Sequence, residues 1–220
     1  MNQAAYLRSG RVLHQAREAY ARSLNVTDES DVCIALCAAA FEGFLNEVAL
    51  LLRNRLMFPH HRGSAQEVAL HEVLVEAEEA RMQPVAKYRM GMFALTGKFP
   101  LKGDIVIKRL ATVFRLRNSL LHVKPDVICE VDRKSGEFKG PKWPPEVDLL
   151  VAERVLVAPR DYSETWRTLV STPPVAAWAY KHVVVAIHSL IAAVPVGSDL
   201  RKRLDMGWRS LPNEVTGDAT

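Results

Sequence analysis

Cysteine is scarce. The 220 residues carry only Cys33, Cys37 and Cys129, too few for a disulfide framework, and no partner pair completes a zinc site beside the first two. Cys33 and Cys37 lie four apart on one predicted helix, so they share a face and are expected as reduced core residues. The opening Met-Asn-Gln-Ala-Ala-Tyr-Leu-Arg lacks an uninterrupted apolar segment; no signal peptide is expected, and the expected location is cytoplasmic. Two apolar stretches could pass for membrane spans, but 32–52 holds Glu42, Asn46 and Glu47, and 175–194 holds Lys181, His182 and His188. Both are therefore expected as buried core helices, with no membrane partner. Also missing are a P-loop, a Gly-rich dinucleotide turn, a His-Glu-x2-His zinc helix and a Gly-x-Ser-x-Gly elbow, so the enzyme classes built on them are set aside. Neither a cofactor nor a metal is expected. There is no internal repeat and no low-complexity segment.

What is present is ordinary for one folded unit. Hydrophobic residues make up 49% and charged residues 25% of the chain, and 220 residues bury a sizeable core. A net charge of +4 and a pI near 9.0 permit an RNA partner without requiring one. The expected fold is a single all-α domain over 1–220, an antiparallel helical bundle built on 29–57 and 104–123. Flanking helices are expected over 2–24, 64–81, 84–95, 146–157, 163–170, 174–194 and 198–206. Ser64 followed by Glu67 predicts a capping box, and Leu13, Ala16, Tyr20 and Leu24 predict the buried face of the first helix. Alternation through Val127, Cys129 and Val131 predicts a small β-hairpin insertion at about 126–140, followed by a proline-rich loop. A polar tail is expected over about 207–220.

The stretch 104–125 holds the best functional lead. Asp104 is placed to cap a helix that Pro125 must end. Val106, Leu110, Val113, Phe114, Leu120 and Leu121 form its apolar stripe, with Arg117 in the middle where a leucine belongs. Lys108, Thr112, Arg115, Asn118, Ser119 and His122 form a polar face. A guanidinium on an apolar face needs a partner or a use. Glu42 on the long helix, in one stripe with Asn46 and Arg53, predicts a Glu42–Arg117 ion pair in the bundle interior. A purely structural role for Arg117 would follow from that pair alone.

The run Arg117-Asn118-Ser119-Leu120-Leu121-His122 resembles the Arg-polar-x3-His signature of the HEPN-domain family. That resemblance implies a small helical module, a metal-independent RNase of toxin–antitoxin or antiphage type, and a homodimer whose two motifs meet in one cleft. Residues five apart on an α-helix stand about 140° apart around its axis, so Arg117 and His122 share no face within one helix. Pairing of two copies, or loosening of the last turn, would bring them together. In this chemistry the 2′-OH of RNA attacks the adjacent phosphate and expels the 5′-oxygen, leaving a 2′,3′-cyclic phosphate. His122 has the right side chain to move the proton, Arg117 to hold the phosphate, and Asn118 to orient either. Glu42, Asn46 and Ser119 are candidate supporting residues, and Arg53, Arg115 and Lys124 candidate RNA contacts. The other readings are a non-catalytic HEPN-like module binding nucleotide, RNA or protein, and partners such as a cognate antitoxin or a nucleotidyltransferase.

Overall fold

The computed structural model describes residues 8–26, 28–57, 63–101, 103–122, 134–137, 143–157 and 165–208. Among these residues the fold is all-α: α1 (Arg8–Ser23), α2 (Glu29–Leu56), α3 (Ala65–Glu79), α4 (Pro84–Thr96), α5 (Ile105–Leu121), α6 (Pro145–Ala152), α7 (Trp166–Val170), α8 (Pro173–Ala193) and α9 (Asp199–Trp208). The expected hairpin falls almost wholly outside the described residues. Only 134–137 is described there, and it forms a turn with Gly136 at a positive φ of 73°.

Helices α1 and α2 fold back on each other. Ser9 donates to the Glu47 carboxylate from its backbone N–H (2.7 Å) and from its hydroxyl, while Arg22 and Glu29 pair at 3.1 Å across the connecting turn. Gly43 permits the close approach, since a Cβ there would meet the Ser9 Cβ at 3.2 Å. Leu13, Ala16 and Tyr20 are buried on α1 as the periodicity requires. Leu24 is not, because the helix ends at Ser23 and leaves it exposed in the turn.

A second hairpin joins α3 to α4. The capping box forms: the Ser64 hydroxyl accepts from the Glu67 N–H at 3.2 Å, and the Glu67 carboxylate accepts from the Ser64 N–H at 2.8 Å. Glu67 is only 1% exposed, and its other oxygen takes the Arg55 guanidinium at 2.6 Å, tying the end of α2 to the start of α3. Glu78 pairs with Lys87 at the turn, and Gln66 donates to the Leu95 carbonyl at the open end. Gly97 adopts a φ of 68° and stops α4 where Thr96-Gly97 was expected to.

The core lies around α2 and α8. Both are long and apolar enough to cross a membrane by length and composition, and 50% and 67% of their most apolar windows are buried inside the bundle. Phe41 is the hub, edge-on to Tyr88 at 5.6 Å and to Phe114 at 6.0 Å. The Cys33 and Cys37 thiols are buried and free, and Cys33 donates weakly to the Ala176 carbonyl on α8. Burial, then the neighbouring Cys33, pushes the Cys37 thiol well above its ordinary range, so it stays protonated and inert. The chain's end differs from expectation. Trp208 falls within the expected polar tail, yet it closes α9, fully buried with its ring 5.0 Å from Phe44. Leu200, Leu204 and Trp208 recur every fourth residue and form the buried face of α9, a periodicity that carries the helix past 206.

Candidate functional site

Helix α5 begins as its sequence dictates. The Asp104 carboxylate accepts from the Val106 and Ile107 N–H groups at 2.8 and 3.4 Å, satisfying two orphan donors. Leu110, Val113, Phe114 and Leu120 are buried and Val106 partly so, as the stripe predicts. Ile107 and Leu116, outside that stripe, are buried as well, and two assigned positions depart from it. Thr112, expected on the polar face, is fully buried, its hydroxyl donating to the Lys108 carbonyl at 3.0 Å. Leu121, expected inside, is 59% exposed.

The helix runs unbroken to Leu121. His122 caps it in an extended conformation, its N–H bonded to the Asn118 carbonyl at 3.0 Å. The last turn therefore does not loosen before the motif ends, and Arg117 and His122 stay on different sides of α5. Asn118 and His122 are exposed on the solvent side with Arg115, and Ser119 is half-buried.

The expected Glu42–Arg117 pair exists, at 3.6 Å between Nη2 and Oε2. It is not in the bundle interior. The Arg117 and Glu42 side chains are 27% and 43% exposed, because Glu42 sits at the margin of the α2 face buried through Cys37, Ala38, Phe41 and Leu45. The guanidinium also lies over the Phe114 ring at 5.7 Å. An exposed pair this loose contributes well under about 1 kcal/mol. Its carboxylate orients Arg117 while leaving it open to a ligand. Asn46, one turn beyond Glu42, is exposed beside it.

The candidate RNA contacts do not converge. The Arg115 Nε pairs with Glu146 at 3.0 Å and its Nη2 donates to Thr112 at 3.1 Å, so it clamps α6 onto α5. Arg53 is exposed on α2, eleven residues past Glu42, or about 16 Å further along the axis. Lys124 lies outside the described residues.

One polar cluster was not anticipated. Glu153, just past α6, accepts from Arg109 Nε of α5 at 2.8 Å and from Trp178 Nε1 of α8 at 2.8 Å, with His182 Nε2 4.0 Å away. The spacing of these four residues carries no local signal, since three different helices bring them together. Burial, then Arg109, lowers the His182 pKa from 6.5 to about 4, against the pull of Glu153. Between those two values the unfolded chain binds the extra proton. Stability therefore falls as pH drops through that window, by up to about 3 kcal/mol. Burial raises the Glu153 carboxyl, but hydrogen bonds from Arg109 and Trp178 outweigh it and hold the group below its ordinary 4.5. Its loss at more acidic pH has the same sign. Urea midpoints should decline from pH 7 to pH 4.5, and His182→Gln should flatten that decline. An unchanged slope in the variant would assign the acid sensitivity elsewhere.

Among the described residues no group of three His, Cys, Asp or Glu side chains is arranged to hold a metal ion. His182 and His188 serve packing instead, the first edge-on to Trp178 at 4.7 Å and the second 3.3 Å from the Trp208 carbonyl. Comparison with protein-family models, with curated proteins and with solved structures finds no match to this chain.

Proposed function

We propose that this protein is a HEPN-like, metal-independent endoribonuclease working as a homodimer, of the kind found in toxin or antiphage systems with a cognate antitoxin or nucleotidyltransferase as partner. The observation that carries the reading is the end of α5. Arg117, Asn118 and His122 stand there unburied, with a carboxylate aimed at the arginine from α2. The exposed apolar Leu121 within the motif is consistent with a second copy covering this end. In such a dimer the Arg117 guanidinium of one copy meets His122 of the other, which removes the 140° obstacle within a single helix. Arg117 then holds the non-bridging phosphate oxygens, and His122 takes the 2′-OH proton or returns one to the departing 5′-oxygen. Asn118, one turn before His122 on the same side, orients the imidazole or the phosphate.

The separation of Arg117 from His122 favours a second reading, a HEPN-like module that binds nucleotide, RNA or protein without cutting. One experiment divides the two: cleavage of an end-labelled structured RNA in EDTA by wild type and by His122→Ala purified in parallel. The endonuclease reading expects a cyclic-phosphate product that falls about 10²–10⁴-fold in the variant at unchanged folding. Equal cleavage by both proteins would trace the activity to another site. Folded protein that cuts nothing would favour the binding module.

A further inference from the structure

The α4–α5 junction presents two large aromatic rings to solvent. Phe93 is 45% and Phe99 46% exposed, with centroids 5.8 Å apart at 64°. Neither ring is adrift. The Arg89 guanidinium carbon sits 4.5 Å from the Phe99 centroid, and its Nε donates to the Pro100 carbonyl at 3.0 Å, so one arginine braces both the ring and the loop that carries it. A hydrophobic pair held in place yet left uncovered costs solvation and calls for an occupant.

Charge identifies the occupant's class. From 89 to 109 the sequence holds five basic residues against one acid, Asp104; Arg109 among them is taken by Glu153, which leaves Arg89, Lys98 and Lys108 as the available cations among the described residues. Asp104 is engaged in capping α5. The acidic face of α3, Glu72 to Glu79, flanks the other end of the α3–α4 hairpin, where Glu78 meets Lys87. Gln66, not an acid, meets Leu95 at the aromatic end. The contacts 78–87 and 66–95 lie about 18 Å apart along α3 and about 12 Å apart along α4. A flat apolar ligand that carries negative charge fits this end, whereas an acid-free apolar peptide gains nothing from the cations.

We propose that Phe99, braced by Arg89 and flanked by Phe93, is a stacking platform for an unpaired base of a single-stranded nucleic acid whose phosphates meet the cations around it. Aromatic–base stacking tolerates any base, and a guanidinium on the opposite ring face strengthens it. Phe99 lies in the α4–α5 connection, six residues before α5 begins, and His122 caps the far end of that helix, which is about 25 Å long, so the site is distinct from the motif and stands whether or not the protein cuts RNA.

The test is fluorescence anisotropy of wild type with labelled twelve-nucleotide single strands of 2′-O-methyl RNA and of DNA, neither of which offers a 2′-OH nucleophile, beside the corresponding duplexes. Single strands should bind more tightly than duplexes. Phe99→Ala should weaken single-strand binding about tenfold, Phe99→Trp should restore it, and Lys98→Glu should weaken it with a shallower salt dependence. Equal binding of the two sugars would assign recognition to base and phosphate, and preference for one would name the source. Duplexes bound as tightly as single strands, or affinity unmoved by Phe99→Ala at an unchanged melting temperature, would overturn the proposal. Strand binding without any cleavage of natural RNA would sink the ribonuclease reading and leave the platform intact. Cleavage with no response to Phe99 would do the reverse.

Discussion

Trp208→Ala lowers folding stability by about 3–5 kcal/mol, the range for deleting a large buried aromatic. The indole is fully buried, stacked edge-on against Phe44 of α2 at 5.0 Å, and its backbone carbonyl lies 3.3 Å from His188 of α8. Its removal leaves a cavity bounded by the two central helices, where the surroundings collapse least. For a chain of this size each kcal/mol shifts the melting temperature by about 2–4 °C, so a fall of roughly 10 °C is expected. Trp208→Phe keeps part of the volume and should lose much less. Truncation after Met206 should match the alanine variant. A melting temperature within about 2 °C of wild type for Trp208→Ala would mean that α9 does not seal the core.

Arg117→Ala separates function from support. The pair with Glu42 is half-exposed at 3.6 Å, and the contact with Phe114 is at 5.7 Å. Together they are worth about 1 kcal/mol or less, so the melting temperature should move by only a few degrees. On the proposed ribonuclease reading, loss of a group that stabilises charge on the reacting phosphate should cost about 10²–10³ in cleavage rate. Arg117→Lys keeps the charge but loses the bidentate fork, and should recover stability fully and activity little. The purely structural reading expects the opposite, a large loss of stability on Arg117→Ala that Glu42→Gln reproduces. Melting curves and single-turnover cleavage on the same preparations read both quantities.

Much of the helical layout was legible because its signals are local. Capping at Ser64–Glu67 and at Asp104, the stop at Gly97 and the double proline opening α8 each act through one or two residues nearby. The Glu42–Arg117 pairing was legible too, since two polar side chains on otherwise apolar faces seek each other. Its depth was not. Whether a helix edge is interior or rim depends on how neighbouring helices cross, and that put Thr112 inside and Leu121 outside against the pattern. Arg115 reads as a free cation in the sequence and proves to be the clamp on Glu146, because a residue 31 positions later returns to it.

By itself the sequence determined a helical fold for the described residues, the approximate extents of the main helices, the burial of the two long apolar helices and the motif Arg117–His122 at a helix end. These follow from periodicity and capping, whose range is a turn or two. The sequence placed 104–123 beside 29–57 at the centre, where the structure puts α8. Tertiary structure decided how deep each helix edge lies and which polar groups from distant positions meet. It gathered Arg109, Glu153, Trp178 and His182 from distant positions, and left Arg117, His122 and the Phe93–Phe99 pair at the surface. The depth of a helix edge and the meeting of distant charges are properties of packing between elements, which periodicity within one helix does not encode.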